Sequence, residues 1–317
     1  MKQKSIYLDI RRAEGSTADL ILIAGGSCSG KSYFSKKLQE SLENKGEKVL
    51  LLSADNFYKG ASRTISPSEE VAKIVYEVTG KLVNDEKFTK ENCKILKERG
   101  IDATAIKKAF KNINWDKPDV IDLEGCAKFI NTMMLKKEKS VKLPVYIKKV
   151  SDITCEGAQE FTGKNYTKII MEGLYTLNDE LLKRIKYKNP TKCYIECDIY
   201  TILFRRLKRD CYKGVSSYNA SETLKMFLTR VADGYNKYIL PTKEKAGVLY
   251  TSIPEEHEKG HFLVVAKKGV VTELQFIFDD KRETMVFSMA ELDKELKDPK
   301  AFLRMFKKVG YDIMLQE

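Results

Sequence analysis

The length of 317 residues and the 43% of hydrophobic residues together predict a folded core and exclude general disorder, and the formal net charge is +12. Seven scattered cysteines without a Cys-x-x-Cys pair argue against a disulfide framework or a zinc site, and favour a reducing, cytoplasmic location. Residues 1–15 lack the apolar segment of a signal peptide, and no apolar run is long enough for a membrane span. Lysines and glutamates are interspersed along the predicted helices, which is typical of solvated faces rather than of a nucleic-acid surface.

Apolar runs alternate with helical periodicity at the start of the chain. Residues 20–24 predict a buried strand, and the stripe Phe34, Leu38 and Leu42 predicts a helix over residues 31–44. The run "KVLLLSAD" predicts a second buried strand that ends at Asp55. A strand, a helix and a strand within about 35 residues form a βαβ unit, so we predict an α/β fold with a parallel sheet.

Later segments extend this organisation. The runs "KIIMEG", "KCYIECD" and "AGVLYTS" bring the predicted parallel sheet to about five strands flanked by helices. Residues 59–113 show helical patterns that end near Gly80 and Gly100, without a strand pattern, and predict a helical insertion. We therefore divide the chain into a main domain at residues 1–252, which includes this insertion, and a small α+β C-terminal appendage at residues 253–317.

A glycine-rich loop joins the first predicted strand to the first predicted helix. Gly25, Gly26, Ser27, Cys28, Ser29, Gly30, Lys31 and Ser32 match the pattern G-x-x-x-x-G-K-[ST]. Glycines let successive backbone N–H groups turn towards a phosphate, and the helix N-terminus adds its positive dipole end. We predict a nucleoside triphosphate site in which Lys31 reaches the β and γ phosphates and Ser32 binds Mg²⁺. The alternative is a glycine-rich turn without a ligand.

Two acidic residues follow predicted strands at the edge where such a ligand binds. Asp55 follows the second strand, and Glu172 ends "KIIMEG". Either carboxylate could bind Mg²⁺ or accept a proton from an attacking hydroxyl. The alternative for each is a helix N-cap or a solvated loop acid.

The segment "FRRLKRD" is predicted to continue as a helix after the strand "CYIECD". Arg205, Arg206 and Arg209 would then share one basic face, and such arginines can stabilise a transferring phosphoryl group. An exposed basic face without a ligand is the alternative. The pair Lys213–Gly214 just beyond it predicts the flexible joint of a lid.

Two aromatic segments and a histidine pair remain. "NWDKPDVID" and "LPVYIKK" place Trp115, Asp116 and Tyr146 near loops, where they could hold a hydroxylated, ring-bearing acceptor. A turn around Pro118 and a half-buried strand tyrosine would give the same pattern. His257 and His261 are spaced i, i+4 but have no third ligand nearby, so we expect no metal site there.

The order of these motifs resembles the uridine kinase and phosphoribulokinase family of P-loop small-molecule kinases, and most closely its uridine/cytidine kinases. The similarity extends over residues 20–252, with the helical block looped out. Seven segments follow in the order of the family: "GGSCSGKS", "LSADNFYK", "NWDKPDVID", "LPVYIKK", "IIMEGLY", "FRRLKRD" and "LPTKEKAGVLY".

The resemblance implies a role for each matching residue. Asp55 stands at the position of the catalytic base, and Asp116 at that of the acid that binds the ribose hydroxyls. Tyr58 and Tyr146 match aromatics that border the nucleoside. The remaining matches are Ser32 and Glu172 at the metal positions, and Arg206 and Arg209 at those of the lid arginines.

Three positions depart from the family pattern. Ile202 and Val215 replace family arginines, and Ser151 replaces the histidine that contacts the pyrimidine. The resemblance implies that these departures spare phosphoryl transfer and affect base recognition.

These observations predict an ATP- and Mg²⁺-dependent kinase that phosphorylates a hydroxyl acceptor, with the 5′-hydroxyl of a nucleoside as the first candidate. A kinase for another sugar-like or vitamin-like hydroxyl, and a non-catalytic nucleotide-binding switch, stay open as alternatives. No nucleic-acid or membrane partner is expected, and the sequence leaves homo-oligomerisation open.

Overall fold

The computed structural model describes residues 19–66, 68–79, 89–147, 152–212, 220–253, 260–267, 270–278, 284–288, 304 and 314–316. The strands are β1 (Leu20–Gly25), β2 (Val49–Ser53), β3 (Ser140–Ile147), β4 (Asp152–Thr162), β5 (Lys168–Glu172), β6 (Thr191–Glu196), β7 (Val248–Thr251), β8 (Gly260–Lys267), β9 (Val270–Phe278), β10 (Thr284–Ser288) and β11 (Met314–Gln316). The α-helices of more than one turn are α1 (Lys31–Glu43), α2 (Gly60–Ile65), α3 (Glu69–Val78), α4 (Lys90–Glu98), α5 (Ala103–Lys111), α6 (Leu123–Leu135), α7 (Asp179–Arg184), α8 (Ile199–Leu207) and α9 (Ala220–Met226).

Five strands form a parallel sheet in the order β2-β5-β1-β6-β7. All residues of β1 and β5 are buried, as expected for central strands covered by helices on both faces. The predicted α/β fold with a parallel sheet of about five strands flanked by helices is therefore confirmed. The connection after β1 leads to β2 on one side of β1, whereas the connection after β5 leads to β6 on its other side, so the carboxyl ends of β1 and β5 border a crevice where a ligand can bind.

Helix α1 covers one face of this sheet. Phe34, Leu38 and Leu42 pack with residues of β1, β5 and β6 in one buried cluster, as their spacing predicts. The helix begins at Lys31, directly after Gly30, and ends at Glu43, one residue before the predicted end.

The second strand is shorter than predicted. It ends at Ser53, and Asp55 lies in the 3₁₀ turn Ala54–Phe57 rather than at the end of a strand. The reason is local, because the Ser53 side chain accepts a hydrogen bond from the Asp55 N–H and caps this turn.

The block from residue 59 to residue 113 is helical, as predicted, and contains α2 to α5. Helix α3 ends at Val78, helix α4 ends at Glu98 before Gly100, and Gly80 lies outside the described residues. The segment that enters the block lies beside the segment that leaves it, since the Tyr58 hydroxyl donates to the Trp115 carbonyl at 3.3 Å and the Lys59 N–H donates to the Val120 carbonyl at 2.9 Å.

The insertion shares the main hydrophobic core. Its members there include Ala61, Ile65, Val75, Leu96 and Ile106, which belong to the same buried cluster as residues of β1 and β5. The block is therefore packed onto the domain over several of its helices.

A hairpin that the sequence analysis did not predict as a unit follows α6. Strands β3 and β4 pair antiparallel, and their register shifts between Leu143 and Val145. From the pair Leu143–Gln159 to the pair Val145–Thr154 the first strand advances by two residues and the second by five, so the pairing of the hairpin is irregular there.

Strands β8 to β11 form a separate sheet in the order β10-β9-β8-β11, in agreement with the hairpin pattern of the sequence after residue 252. Strand β10 contacts α9. His257 and the helices predicted after Met289 lie outside the described residues, apart from Arg304. Within the described part of the chain, no helix combines the length and the apolar character that crossing a membrane requires.

Candidate active site

The glycine-rich loop lies between β1 and α1. Gly25 adopts a φ of +151°, and a side-chain carbon at this position would lie 2.6 Å from the Ile195 carbonyl oxygen on the neighbouring strand. Gly30 adopts a φ of +98°, which favours glycine and lets the loop turn into the helix. Cys28 also has a positive φ, of 58°, so the loop carries a strained non-glycine residue as well.

Polar groups of this loop fit a phosphate. The Ser29 hydroxyl is fully buried and has no hydrogen-bond partner among the described residues. The Lys31 ammonium reaches back over the loop and donates to the Gly26 carbonyl at 2.7 Å. Because a buried hydroxyl without a partner is costly, a bound anion with acceptor oxygens would satisfy a need that the loop itself leaves open.

Ser32 and Glu172 meet across the sheet edge. The Ser32 hydroxyl donates to Glu172 Oε1 at 3.1 Å. Glu172 is buried at the end of β5, where it pairs with Ile23 of β1 and Ser53 of β2. Asp55 lies two residues after Ser53. The ends of β1, β2 and β5 therefore bring the side chains of Ser32, Glu172 and Asp55 to one edge of the sheet.

The oxygens of Ser32 and Glu172 form an open site of the kind that suits Mg²⁺, rather than a cage in which the protein supplies every ligand. Among the described residues, no group of three or more His, Cys, Asp or Glu side chains gathers at one point. Mg²⁺ commonly takes only one or two protein oxygens, and completes its shell with water and phosphate oxygens.

Arg206 contacts the loop from α8. Its Nη1 donates to the Ser27 hydroxyl at 3.3 Å, and its Nε lies 3.5 Å from Asp210 Oδ2. Arg209 donates to the other carboxylate oxygen of Asp210 at 2.7 Å. A single buried carboxylate therefore holds both predicted arginines.

Arg205 does not share their face. It donates to the Ser252 hydroxyl at 2.9 Å, beyond the end of β7. The single basic face predicted for Arg205, Arg206 and Arg209 is thus divided, because successive helical residues point about 100° apart and the helix widens to a π-helix over Lys208–Tyr212.

Asp116 is a buried acid beside these arginines. Burial raises the pKa of the Asp116 carboxyl, and the positive charges of Arg206, Arg209 and Arg230 oppose that rise. Two contacts fix the segment: the Asp116 N–H donates to the Asn114 side chain at 3.0 Å, and Arg230 donates to the Ile113 carbonyl at 2.9 Å.

Three aromatic rings form a cluster next to Asp116. Tyr58 stacks on Tyr146 with 4.8 Å between ring centroids, and meets the edge of Trp115 at 5.9 Å. Burial, followed by the nearby carboxylates Asp55 and Asp116, raises the pKa of the Tyr58 hydroxyl. The rings and both acids therefore belong to one region.

The sequence analysis missed three residues of this region. Asp210 is the last residue of "FRRLKRD", four residues after Arg206, whereas Arg230 belongs to no motif. Tyr175 lies three residues after Glu172, and its buried hydroxyl has no hydrogen-bond partner among the described residues. Burial, and then the charge of Asp116, raise the pKa of this hydroxyl.

The structure therefore brings the phosphate loop, Glu172, Asp55, Asp116, the two aromatic predictions Tyr58 and Tyr146, and the arginines Arg206 and Arg209 to one edge of the sheet. Ile202 is buried in the core near the loop. Ser151, Val215 and the predicted joint Lys213–Gly214 lie outside the described residues.

Comparisons with known proteins bear on this arrangement. A sequence model of the Phosphoribulokinase / Uridine kinase family matches residues 66–258, which is more than half of the chain. A uridine kinase of Lactobacillus johnsonii is 25% identical over 241 residues, covering 75% of this chain and 87% of the relative. A uridine-cytidine kinase 2-B of Danio rerio is 25% identical over 236 residues, covering 73% and 71%. Among solved structures, one described as a possible uridine kinase from Bacillus stearothermophilus has 14% identity and a TM-score of 0.44, and covers 79% of this chain and 100% of its own.

Proposed function

Since this chain belongs to the phosphoribulokinase and uridine kinase family and is an ATP-dependent kinase, we propose that it transfers the γ-phosphoryl group of ATP to the 5′-hydroxyl of a nucleoside. The nucleoside acceptor is the part of this proposal that goes beyond the family. It is supported by the curated relatives, whose names are uridine and uridine-cytidine kinase, and by the residues around Asp116.

One observation carries the acceptor proposal. Asp116 is a buried carboxylate next to a cluster of three aromatic rings, and it lies within the field of arginines that contact the phosphate loop. A carboxylate that accepts hydrogen bonds from two ribose hydroxyls, beside rings that pack on a base, suits a nucleoside.

Asp55 is the proposed general base. A carboxylate that accepts the proton of the attacking hydroxyl increases the nucleophilicity of that oxygen as it approaches phosphorus. Asp55 and Asp116 both act on Tyr58, which supports an acceptor lying between the two acids. The base would thus face the hydroxyl end of the acceptor, and Asp116 its ribose diol.

The phosphates of ATP are assigned to the loop. Backbone N–H groups of residues 25–30 and the Ser29 hydroxyl would donate to them, and Lys31 would exchange the Gly26 carbonyl for phosphate oxygens. Ser32 and Glu172 are proposed to hold Mg²⁺, which when bound neutralises charge on the β and γ phosphates.

Arg206 and Arg209 are proposed to stabilise the transferring group. Asp210 positions both guanidinium groups, because its buried carboxylate accepts a hydrogen bond from Arg209 at 2.7 Å and forms an ion pair with Arg206 at 3.5 Å. Such positioning before the reaction avoids the reorganisation that a flexible arginine would need.

An acceptor panel tests this function. Purified enzyme with MgATP is assayed with ribonucleosides, a 2′-deoxynucleoside, a 5′-deoxynucleoside and non-nucleoside alcohols such as sugar acids. We expect turnover with ribonucleosides and none with the 5′-deoxy compound, which lacks the attacking hydroxyl.

The 2′-deoxynucleoside should lose about 10- to 100-fold in kcat/KM, since one charged hydrogen bond is worth about 1.5–3 kcal/mol. A non-nucleoside alcohol that exceeds every nucleoside in kcat/KM would replace the proposed acceptor. Equal kcat/KM for the ribo- and 2′-deoxynucleoside would contradict the role of Asp116.

A further inference from the structure

A cavity of about 530 Å³ lies behind the turn that follows Asp55. Its walls are residues 56–59, Arg63 of α2, one face of α6, Lys139 with the first residues of β3, and Ile153 of β4. Of the described residues, Tyr58 is common to this cavity and to the aromatic cluster, whereas Lys31, Asp55 and Asp116 do not line it. The cavity is therefore a neighbour of the kinase site rather than a part of it.

Helix α6 presents a continuous stripe to this cavity. Gly125, Lys128, Phe129, Thr132 and Lys136 line it, and their spacing of three and four residues puts them on one face. Phe129 is also buried against Phe57, with 5.8 Å between the ring centroids. Phe57, Val141, Leu143 and Ile153 also line the cavity, and since Phe57, Leu143 and Phe129 are buried, we call this apolar side the floor of the cavity.

The rim of the cavity is strongly cationic. Lys59, Arg63, Lys128, Lys136, Lys139 and Lys142 line it, against a single carboxylate, Asp122. That carboxylate is already engaged, since it accepts the Gly125 N–H at 2.8 Å as the N-cap of α6. Lys128, Lys136, Lys139 and Lys142 form no side-chain ion pair with any carboxylate of the described residues.

A concave site with an excess of positive charge and an apolar floor favours ligands that combine negative charge with a ring. Its size lies within the range of small-molecule pockets of about 300–1,000 Å³. Converging cations raise the local concentration of anions, and an apolar floor favours the face of a ring. A ligand that joins a polyphosphate chain to a heterocycle satisfies both features.

We propose that this cavity is a second ligand site, separate from the phosphate loop, which binds a nucleoside polyphosphate and regulates the kinase. The lysines of the rim hold the phosphates, and the floor around Phe57 and Phe129 holds the base. The site reaches the acceptor region through one short turn, because Phe57 and Tyr58 follow Asp55 directly and Tyr58 stacks on Tyr146. Occupancy of the cavity therefore changes the KM for the acceptor more than it changes kcat.

Binding is tested apart from catalysis in the full-length Lys31→Ala protein, whose phosphate loop is impaired. Inorganic tripolyphosphate and the common ribonucleoside triphosphates are titrated by calorimetry and by tryptophan fluorescence. Trp115 is the single tryptophan of the chain, and it meets Tyr58 at 5.9 Å, so its emission reports on the shared wall. We expect one bound equivalent of a nucleotide and a change in Trp115 emission.

Two added variants identify the place of binding. In that background, Lys128→Glu/Lys136→Glu/Lys142→Glu should weaken the binding by about tenfold or more, because each lost charged contact is worth about 1.5–3 kcal/mol. Thr132→Phe keeps the charge but fills the cavity, and should weaken binding as well. The control Lys183→Glu/Lys186→Glu/Lys188→Glu changes exposed lysines outside the cavity by the same net charge, and should bind as the parent protein does.

The regulatory part is tested with the wild-type loop. In the protein that retains Lys31, the nucleotide found by calorimetry should change the KM for the acceptor. The Lys128/Lys136/Lys142 variant should show no such change in KM, and its kcat in the absence of the nucleotide should equal that of the wild type. An acceptor KM that does not respond to the nucleotide, or that responds equally in this variant, would contradict a regulatory role.

Several outcomes would overturn the site itself. They are no binding to the Lys31→Ala protein, unchanged binding in the Lys128/Lys136/Lys142 variant, or equal losses in this variant and its charge-matched control. If tripolyphosphate bound as tightly as every nucleotide, the base would contribute nothing to binding, and the proposed contact between the base and the floor would be wrong. None of the binding readouts needs phosphoryl transfer, so they stand apart from the proposed acceptor.

Discussion

At the scale of single residues, the candidate site depends on two acids in different surroundings. Asp55 lies in a capped 3₁₀ turn at the edge of the sheet, whereas Asp116 is buried between aromatic rings and arginines. Ionisation of a buried carboxylate costs free energy unless cations compensate for it. The two acids are therefore suited to different tasks, proton acceptance for Asp55 and substrate binding for Asp116.

For Asp55, we predict that Asp55→Asn lowers kcat by ~10² or more and leaves the affinity for ATP nearly intact, because an amide cannot accept the proton of the acceptor. Isothermal titration gives the ATP affinity, and steady-state kinetics at saturating ATP gives kcat. Should the ATP affinity collapse while the residual rate at saturation stays at the wild-type level, Asp55 would be a metal or structural residue.

For Asp116, the raised pKa gives a pH-dependent prediction. The folded protein holds the Asp116 proton more tightly than the unfolded chain does. The ionisation of Asp116 therefore lowers stability as the pH rises from the ordinary carboxyl range, near 4, through the raised pKa. We expect Asp116→Asn to be more stable than the wild type at pH 7, with a smaller difference at pH 4, and to lose acceptor binding.

Urea unfolding at the two pH values measures this difference, and the exposed Asp119→Asn is the matched control. A wild type that is the more stable protein at pH 7 would mean that the three arginines outweigh the burial of Asp116. The Asp116 carboxylate would then stabilise the folded protein, instead of being a destabilising group that is retained for its function.

At the scale of elements, the helical insertion is an integrated part of the domain. The segments that enter and leave it are joined through the Lys59–Val120 hydrogen bond, and its helices contribute to the main core. Replacing residues 59–113 by a short linker would therefore expose the core of the remaining domain. Point substitutions are the better probe of this block.

Leu96 provides such a probe, since it is the buried residue of α4 and is 0% exposed. We predict that Leu96→Ala lowers the free energy of unfolding by about 2–5 kcal/mol, because it removes buried methyl groups and leaves a cavity. The whole domain should still unfold in one transition. Lys94→Ala, which removes one partner of an exposed pair on the same helix, should change stability by less than about 1 kcal/mol.

Circular dichroism and tryptophan fluorescence in urea would follow both variants. An early, separate transition seen by circular dichroism alone, with the Trp115 signal unchanged, would show that the insertion unfolds independently. In that case its helices would be an attached subdomain.

At the scale of the whole molecule, the described residues form, besides the hairpin β3-β4, a five-stranded sheet and a four-stranded sheet that share no strand. The five-stranded sheet ends with β7, and Ser252 still belongs to it through its bonds with Arg205 and the Glu196 carbonyl. The second sheet begins with β8 at residue 260. A boundary between residues 252 and 260 is consistent with the proposed division into a kinase domain and an appendage.

We predict that a chain ending at Ile253 remains folded and binds ATP with an affinity within about threefold of the full chain, since every loop and strand-end residue of the site precedes that point. Thermal unfolding and ATP titration test this. A truncated chain that is folded but has lost ATP binding would show that the appendage contributes to the site. One that fails to fold would show that the contact between β10 and α9 stabilises the domain.

The sequence alone determined the class of the fold and the position of the candidate phosphate-binding loop. Both follow from local patterns, because a buried strand, a glycine-rich loop and an amphipathic helix are encoded by neighbouring residues in "LILIAGGSCSGKSYF". The acids at the strand ends could be found for the same reason, since the carboxyl ends of parallel strands must meet at one edge.

Only the tertiary structure decided which side chains hold these groups in place. Arg230 binds the carbonyl of Ile113, which lies 117 residues away in the chain, and Tyr58 stacks on a hairpin strand that begins far downstream. The separation of Arg205 from Arg209, which a regular helix would place on one face, accompanies the π-helix that begins at Lys208, and the cationic cavity arises from the packing of α6 against β3. Such contacts arise when separate elements pack together, and no periodicity within one segment records which distant side chain will meet it.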